Sequence, residues 1–388
     1  MQPKRKILLL VTRGTIGGAQ AVVLNLAKGL HETGENVTVA FGDGDYLETE
    51  CINAGIPTHR LSALRRSMNP LKNLSALWEI KRYLDREQYD VVHIHSSNAL
   101  VTALSAKLSR TKSNIVFTVH GLSFLDERVA VPVLVKVIYR QVMRFLLQFV
   151  HEVVFVSHAN AEAAKKMRLT KTVSTVIYNG LRIDELHFFD KATARAQLAQ
   201  VAGVEISTDV FLVGSIGRLD MPKNYEFFIR QIALLPEERL GVRACIIGDG
   251  PLRSKLENYI HAQNVQDRFT LVGEVAQANS FIKAFDVFVL PSRYEGFSIA
   301  ILEALAAGVP ILASDVGGAR EQLPHTEVQV YPAGDETAFQ QRLHFLIENQ
   351  AERAKLGCAN MERANDFHMD ATVKAYKRLY YGNDAVLN

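Results

Sequence analysis

Two short apolar runs with a helical segment between them constrain the fold more than any other part of the chain. The runs, Val287–Leu290 and residues 311–313, are predicted to be buried strands because each is short and continuous. A helix is predicted from Phe297 or Ser298 to Ala307, where a following glycine and proline end it. This unit puts a helix N-terminus at the carboxyl end of a parallel strand, which is where open α/β sheets bind ligands.

Two glutamates lie in this unit with seven residues between them, Glu295 in the loop and Glu303 about two turns into the helix. The backbone N–H groups of Phe297, Ser298 and Ile299 are expected to be free to face an anion, and the helix dipole favours negative charge there. A carboxylate as deep as Glu303 cannot hold a phosphate, but it can accept hydrogen bonds from vicinal hydroxyls such as a ribose diol. The spacing indicates a sugar nucleotide across the helix N-terminus; an ordinary αβ unit with a charged loop is the alternative.

The rest of the chain repeats this alternation of apolar strands and helical patterns. In the first half, strands are predicted at residues 6–12, 37–41, 91–95, 114–120, 153–157 and 175–179. In the second half, further strands are predicted at residues 210–216, 244–247 and 269–272. The alternation predicts an α/β fold with parallel sheets between helices, and 388 residues suit two domains.

The three cysteines, Cys51, Cys245 and Cys358, are odd in number and far apart. We therefore expect neither a disulfide framework nor a zinc site, and the composition favours a reducing compartment. The first apolar run stops at Arg13, which is too early for a signal-peptide core, and no run approaches the ~20 residues of a spanning helix. The sequence predicts a cytoplasmic protein that can still touch the inner face of the plasma membrane.

The net charge of +3 is unevenly distributed along the chain. Residues 1–185 contain 24 Lys and Arg against 16 Asp and Glu, whereas the remainder is acidic. The basic half favours an anionic partner such as a phosphate, a pyrophosphate or an acidic lipid surface. No basic run is interleaved with aromatic residues, so nucleic acid is not expected as a partner.

Three positions in the first half carry candidate site residues. Gly17 and Gly18 follow the first strand and allow close backbone approach to a ligand, although a tight βα turn explains them equally well. His120 ends the strand at 114–120 and is expected to face the functional crevice. His93 and His95 alternate along one strand, so they point the same way, and we interpret both as mainly structural.

Loops after two strands of the second half carry charged candidates. Arg218 and Lys223 follow the strand at 210–216, where they can converge on one diphosphate, the first as a planar fork and the second as a point charge. A solvated loop is the alternative for such a pair. Glu274 follows the strand at 269–272 and is a further candidate for ligand contact.

A helix is predicted at 134–150, with a basic stripe on one side and apolar residues on the other. Lys136, Arg140 and Arg144 recur every four residues and form a basic stripe. Apolar residues lie roughly on the opposite side: Leu134, Ile138, Phe145 and Phe149. The pattern fits either a domain helix with a solvated charged face or a surface that docks on anionic lipid.

The segment EGFSIAILEALAAGVPILASDVGG, which begins at Glu295, resembles the E-x7-E segment of the retaining glycosyltransferases of family 4, which have the GT-B fold. Gly217-Arg218-Leu219 followed by Lys223-Asn224 resembles a second motif of that family. The likeness implies two Rossmann-like domains that face one another across an interdomain cleft. The acceptor domain would be 1–185 and the nucleotide-sugar donor domain 186–369, with a last helix at about 370–388 that packs back on the first domain.

The resemblance also implies roles for single residues. Glu295 would orient the reacting sugar through a ring hydroxyl, and Arg218 and Lys223 would stabilise the leaving diphosphate together with the N–H groups near Ser298. His120 would contact the donor sugar.

The remaining implied contacts are with the nucleotide. Gly17 and Gly18 would lie beside the donor phosphates, and the base would bind near Glu274. No D-x-D pair occurs in the loops that carry the candidate site residues, so neither a required metal nor another cofactor is expected.

The function implied is transfer, with retention, of a hexose or N-acetylhexosamine from a nucleotide-diphosphate sugar in surface polysaccharide synthesis. A UDP-sugar is the first choice of donor and GDP-mannose the second. The acceptor would be a glycan or a polyprenyl-diphosphate-linked sugar. Three alternatives stay open: a sugar-nucleotide epimerase of the same architecture, a non-catalytic nucleotide-sugar binding protein and, less favoured in so short a chain, a glycogen-type polymerase.

Overall fold

A computed structural model of the chain describes all residues except 1–3, 66–69, 123–130, 171–173, 205, 208, 237–240 and 383–388, and of 70–73 the backbone only. The chain divides into two compact units. The first contains Met1–Gly180 and His368–Asn388, and the second contains Leu181–Phe367.

The first unit is built on a seven-stranded parallel sheet in the order β3-β2-β1-β4-β5-β6-β7. Its strands are β1 (Lys6–Arg13), β2 (Asn36–Asp43), β3 (Thr58–Arg60), β4 (Val91–Ile94), β5 (Asn114–Val119), β6 (Glu152–Phe155) and β7 (Ser174–Val176). Its helices are α1 (Gly18–Glu32), α2 (Tyr46–Asn53), α3 (Pro70–Glu87), α4 (Val101–Leu108), α5 (Val133–Leu147) and α6 (His158–Lys166).

The second unit has a six-stranded parallel sheet in the order β10-β9-β8-β11-β12-β13. Its strands are β8 (Phe211–Ile216), β9 (Val242–Ile247), β10 (Phe269–Gly273), β11 (Val287–Leu290), β12 (Ile311–Ser314) and β13 (Val330–Tyr331). Its helices are α7 (Lys191–Ala202), α8 (Tyr225–Ala233), α9 (Arg253–Ala262), α10 (Ile299–Ala307), α11 (Ala319–Gln322), α12 (Thr326–Gln329), α13 (Glu336–Glu348) and α14 (Gln350–Ala364).

The last helix, α15 (Met369–Tyr381), completes the core of the first unit. It packs against α1, and Val373, Tyr376 and Tyr380 are buried with residues of β1 and β2. Tyr380 donates to or accepts from Nδ1 of His93 at 2.6 Å, which ties the helix to the middle of the sheet.

Every predicted strand is present, with ends shifted by a few residues. The predicted helix at 134–150 ends at Leu147, and the helix after β11 begins at Ile299 because Ser298 is its N-cap. Two short strands, β3 and β13, were not predicted. Within the described residues, no helix is both long enough and apolar enough to cross a membrane.

Candidate active site

The candidate site of the second unit lies where the neighbouring strands β8 and β11 end. The strands are parallel and hydrogen-bonded, so the loops that follow them start from one edge of the sheet. At that edge Nζ of Lys223 lies 2.8 Å from Oε1 of Glu295. Ser292 Oγ donates to the same carboxylate oxygen at 2.7 Å. The structure thus brings together a cation and a carboxylate that are 72 positions apart in the sequence.

Backbone and side-chain hydrogen bonds join the two loops. Asn224 has a left-handed backbone (φ 56°), which stops the short helical turn Met221–Lys223 and starts α8. Its side-chain amide donates to the Pro291 carbonyl at 3.2 Å and accepts from Arg293 Nε at 3.0 Å. The Arg293 N–H donates to the Pro222 carbonyl at 2.8 Å. These contacts fix the positions of Lys223 and Glu295 relative to one another.

Neighbouring residues stabilise the positive charge of Lys223. Burial by itself lowers the pKa of this lysine, but the adjacent Glu295 carboxylate and then Tyr225 and Asp220 outweigh it and raise the pKa to about 12. Lys223 is therefore a permanent cation at neutral pH, held mainly by Glu295.

A second carboxylate in the same loop, Asp220, was missed in the sequence. Burial raises its pKa, although Lys223 and Arg218 oppose that effect, and its Oδ1 is buried with no hydrogen-bond partner among the described residues. Nε of Arg218 lies 3.9 Å from Asp220, and the arginine side chain is 59% exposed. Each of the two predicted cations thus lies beside a carboxylate, Lys223 in a tight, half-buried pair with Glu295 and Arg218 in a loose, exposed pair with Asp220.

The N-terminus of α10 is held by Gln322, which corrects one expectation. The Ser298 N–H donates to Gln322 Oε1 at 3.1 Å, and Gln322 Nε2 donates to the Ser298 carbonyl at 2.8 Å. The prediction of a free N–H at Ser298 is therefore wrong, because a side chain from α11 occupies it. Oγ of Ser298 caps the helix by accepting from the Ile301 N–H at 3.4 Å. The ring of Phe297 is buried and lies edge-on to that of Phe367, and Ile299 is the first residue of the helix.

A glycine lets the loop after β12 approach Glu295. Gly317 has φ +53°, and a Cβ at this position would lie 2.2 Å from the Glu295 carbonyl oxygen. The neighbouring Gly318 N–H donates to the Gly296 carbonyl at 2.8 Å. A side chain at 317 would therefore displace the Glu295 backbone.

Glu303 lies on the accessible side of α10. It is half-buried, as are Ile299 and Ala300 near the start of the helix, whereas Ile301 and Leu302 are buried. Burial raises the pKa of the Glu303 carboxyl to about 7. No hydrogen bond or ion pair to Glu303 occurs among the described residues, so its carboxylate is available to a ligand.

Glu274 lies further along the same edge. It follows β10, which is two strands from β8 in the sheet, and its side chain is exposed. Neighbouring strands are ~4.8 Å apart, so Glu274 and the loop after β8 are separated by roughly 10 Å at the strand ends. That is the scale of a nucleoside diphosphate.

The first unit carries a histidine cluster at the carboxyl ends of β4 and β5. Nδ1 of His95 lies 3.1 Å from Nε2 of His120, and the rings of His93 and His95 are 3.8 Å apart, which confirms that the latter two face the same way. His120 is half-buried, and burial lowers its pKa to about 4. His120 is consequently neutral at physiological pH.

Packing does not require a glycine at either position of the Gly17-Gly18 pair after β1. Gly17 is the extended N-cap of α1, where an added Cβ would meet only the movable end of Gln20, and Gly18 faces open space. The glycine that packing requires in this turn is Gly14, where a Cβ would lie 2.8 Å from the Gly44 carbonyl oxygen.

Helix α5 presents an apolar rather than a basic surface. Leu134, Ile138 and Phe145 are exposed by 69%, 55% and 52%, whereas Met143 and Leu147 on the other side are buried. The three predicted basic residues, Lys136, Arg140 and Arg144, are half-buried. Phe149, predicted to belong to the apolar side, is half-buried beyond the helix end, with its ring edge-on to that of Phe145.

Two family models match the chain. The model for "Glycosyltransferase Family 4" matches residues 16–185, and the model for "Glycosyl transferases group 1" matches residues 199–363. Together the matched ranges include most of both units.

Individual proteins are similar over comparable lengths. The UDP-Gal:alpha-D-GlcNAc-diphosphoundecaprenol alpha-1,3-galactosyltransferase of Escherichia coli is 29% identical over 280 residues, which are 71% of this chain and 69% of the relative. The N-acetyl-alpha-D-glucosaminyl L-malate synthase of Bacillus anthracis is 24% identical over 95% of this chain and 94% of its own. The crystal structure of Anabaena HepE with UDP and glucose has a TM-score of 0.81 at 22% identity, over 97% of this chain and 99% of that one. The structural likeness confirms the predicted GT-B class of α/β fold.

Proposed function

The chain belongs to the family 4 glycosyltransferases, and we propose that it transfers a hexose or N-acetylhexosamine, with retention, from a nucleotide-diphosphate sugar to a glycan or lipid-linked acceptor. A UDP-sugar is our first choice of donor. One relative is a UDP-galactose-dependent enzyme that acts on a diphosphoundecaprenol-linked sugar, and HepE binds UDP and glucose. Surface polysaccharide synthesis is the setting that such an acceptor suggests.

The observation that carries the proposal is the Lys223–Glu295 pair beside the α10 N-terminus. At 2.8 Å the pair uses one of the three ammonium donors of Lys223, which leaves others for phosphate oxygens. Glu295, held by Lys223 and Ser292, offers its remaining acceptor capacity to a sugar hydroxyl. One buried contact thus joins the proposed phosphate-binding group to the proposed sugar-binding group.

Arg218 is the second proposed diphosphate ligand. Its exposed contact with Asp220 at 3.9 Å is worth little, so the guanidinium can leave it for a bidentate contact with phosphate. Before the donor binds, two cations face two carboxylates, which keeps the cluster close to neutral. As the glycosidic bond breaks, negative charge accumulates on the leaving diphosphate, and Lys223 and Arg218 stabilise it in place.

The other assignments follow the nucleotide and the sugar. We assign the ribose hydroxyls to Glu303, the base to the backbone near Glu274, and a contact with the donor sugar to His120. Gly17 and Gly18 allow backbone approach to the donor phosphates.

The proposal is tested by replacing Lys223 and measuring whether glycosyl transfer is lost. A thermal-shift screen with UDP-, GDP- and ADP-sugars first identifies the donor, and release of the free nucleotide then measures turnover. Lys223→Ala and Glu295→Gln are each expected to lower kcat by about 10²-fold or more. Lys255→Ala is the matched control, because Lys255 also pairs with a glutamate at 2.7 Å but on an exposed helix face.

Three outcomes would contradict the proposal. Full activity in Lys223→Ala removes the diphosphate role of that lysine. Conversion of the donor sugar to its epimer without any acceptor indicates an epimerase, and binding without turnover indicates a nucleotide-sugar sensor.

We further propose that transfer requires no metal. The proposal is supported by Lys223 and Arg218, which supply positive charge where a divalent ion would otherwise neutralise the diphosphate. Activity that is unchanged in excess EDTA is the expected result, and activity restored only by added Mg²⁺ or Mn²⁺ would contradict it.

We also propose that α5 contacts the cytoplasmic face of a membrane that carries the acceptor. The support is the exposed stripe of Leu134, Ile138 and Phe145, an area of apolar side chains suited to the headgroup boundary. Because Lys136, Arg140 and Arg144 are half-buried, apolar insertion rather than charge should dominate the binding.

Vesicle co-sedimentation separates these two contributions. Ile138→Glu is expected to abolish recovery with anionic vesicles, whereas raised salt should weaken it only in part. Ile52→Glu, at an exposed isoleucine on α2, is the control and should bind as the unmodified protein does. Binding of Ile138→Glu equal to that of the control would exclude α5.

A further inference from the structure

Two histidines two residues apart, His93 on β4 and His95 directly after it, are buried equally but are bonded differently. His93 is 0% exposed and both ring nitrogens have partners, Tyr380 Oη at 2.6 Å and Thr118 Oγ1 at 2.7 Å. His95 is 1% exposed, and only its Nδ1 has a partner, Nε2 of His120 at 3.1 Å. Its Nε2 is buried with no hydrogen-bond partner among the described residues. His93 is thus a satisfied structural residue, and His95 has a single polar contact, which is with His120.

The contact determines which atom of His120 is left for a ligand. Because Nε2 of His120 faces His95, the remaining ring nitrogen is Nδ1, for which no partner occurs in the described part of the chain. A neutral imidazole has one N–H and one lone pair. The direction of the His95–His120 hydrogen bond therefore decides whether Nδ1 of His120 offers a donor or an acceptor.

Both rings are neutral, so only two proton arrangements need to be compared. Burial lowers the pKa of both histidines, that of His120 to about 4. If His120 donates, His95 must carry its proton on Nε2, which leaves a buried N–H without an acceptor. If His95 donates from Nδ1, its buried Nε2 carries no proton, and only a lone pair is left without a partner. Buried N–H groups without an acceptor are the rarer case in proteins.

We propose that His95 is a positioning residue that donates its Nδ1–H to Nε2 of His120 and thereby keeps the His120 proton on Nδ1, where it is offered to the bound sugar. The sugar contact of His120 rests on the function proposed above, but the proton position does not. A neutral N–H donor binds a hydroxyl or phosphate oxygen without adding charge to the site. The ligand class that the arrangement suits is an oxygen acceptor of the donor sugar.

The first measurement does not need turnover. Ring ¹⁵N shifts and ¹H–¹⁵N long-range couplings of the ¹⁵N-histidine protein report the tautomer of each imidazole, and His120→Gln assigns the signal. We expect His120 as the Nδ1–H tautomer in the unmodified protein and a shift toward Nε2–H in His95→Phe. A His120 ring found as Nε2–H in the unmodified protein, or unchanged in His95→Phe, would overturn the proposal.

Two variants separate positioning from packing. His95→Asn restores an N–H donor close to the position of Nδ1, so it is expected to return both the tautomer and most of the activity. His93→Phe is the matched control two residues earlier on the same face; its loss should affect stability but leave the His120 tautomer in place. An Nε2–H tautomer of His120 in His95→Asn would contradict the proposal even if His95→Phe did not fold.

Kinetic measurements then test whether the position of the His120 proton affects the reaction. His95→Phe is expected to lower kcat by about tenfold, the cost of one hydrogen bond, while UDP binds with unchanged affinity. An unchanged kcat together with a changed tautomer would overturn the link to the sugar. Absence of turnover in the unmodified protein with every sugar nucleotide would instead contradict the proposed function, and the tautomer result would stand.

Discussion

Glu303 is a candidate site residue whose carboxyl titrates near neutrality. Its carboxyl is half-buried on α10 and burial raises its pKa to about 7, from 4.5 for an exposed glutamate. Ribose hydroxyls are donors, so they bind best to the ionised form, and nucleotide binding should therefore favour loss of the proton.

The first prediction concerns nucleotide affinity. With a pKa of about 7, roughly a tenth of Glu303 is ionised at pH 6 and about nine-tenths at pH 8. The ratio of UDP affinities between the unmodified protein and Glu303→Gln should therefore rise by about tenfold over this range. Calorimetric titration at both pH values measures it, and taking the ratio cancels the titration of UDP itself. A ratio that does not change with pH would contradict ribose binding by Glu303.

The same carboxyl affects stability in the opposite direction. Its pKa is higher in the folded than in the unfolded protein. Its stabilising contribution to the free energy of unfolding is therefore fully present below a pH of about 4.5 and is lost as pH rises through about 7. Relative to Glu303→Gln, the unmodified protein without nucleotide should have a lower melting temperature at pH 8 than at pH 5.

Residue types and spacing made only part of the site predictable. Glu295 and Lys223 were identified because a motif marks each, and the structure brings them into contact. Asp220 was readable as a carboxylate in the same loop, but its effect depends on burial, which spacing does not reveal. Gln322 left no signal, because a neutral amide 24 positions from Ser298 becomes a partner only after two loops have folded.

At the scale of elements, Gln322 fixes the start of α10 more firmly than the sequence indicates. Its side chain is fully buried and bonds both the N–H and the carbonyl of Ser298. Nε of Arg363 donates to the Gln322 carbonyl at 3.2 Å, so α14 supports the same point. The helix that carries Glu303 is therefore held by contacts from two other elements.

The second prediction tests this clamp. Gln322→Leu leaves the buried Ser298 N–H without an acceptor, which should cost about 1–3 kcal/mol, whereas the Ser298 carbonyl keeps the Leu302 N–H at 3.3 Å. Urea denaturation measures the loss, and Gln341→Leu, at an exposed position of α13, is the control. Gln322→Glu keeps an acceptor for the Ser298 N–H but needs a proton to donate to its carbonyl. That variant should therefore be most stable at low pH and lose stability as pH rises, and an effect equal to that of the control would contradict the clamp.

The elements themselves were predictable wherever the apolar run was long enough. β11 was predicted with its observed bounds because four apolar, buried residues stand between Asp286 and Pro291. Strands β3, with three residues, and β13, with two, are too short to show a period and form only as edges on a completed sheet. Cap positions also shifted: the side chain of Ser298 accepts a hydrogen bond as an N-cap, so α10 starts one residue later than a helical pattern alone suggests.

At the scale of the whole molecule, the first unit is completed by the last part of the chain. Met369, Val373, Tyr376 and Tyr380 share a core with β1, β2 and α1, although all of Leu181–Phe367 lies between them in sequence. Thr118 Oγ1 is hydrogen-bonded to Tyr376 Oη at 2.9 Å, which adds a buried polar tie. Folding of the first unit therefore cannot finish until the second has been synthesised, because α15 is part of its core.

The third prediction tests how closely α1 and α15 pack. A Cβ at Gly29 would lie 2.5 Å from Cγ2 of Val373, so the two helices approach at a point where only glycine fits. Gly29→Ala normally stabilises a helix interior by about 1 kcal/mol, but here it should destabilise the protein, because the clash outweighs the propensity. Val373→Ala removes the clashing methyl group and by itself leaves a cavity.

The double variant decides between clash and propensity. If α15 packs against α1 as described, Gly29→Ala with Val373→Ala should cost less than the sum of the single variants, by about 0.5–3 kcal/mol. Gly241→Ala, where an added Cβ meets no atom within 4 Å, is the control in the second unit. Additive effects, or stabilisation by Gly29→Ala alone, would mean that α15 does not complete this core. Sub-additive effects would show that residues at the two ends of the chain form one folding unit, because only a shared contact couples them.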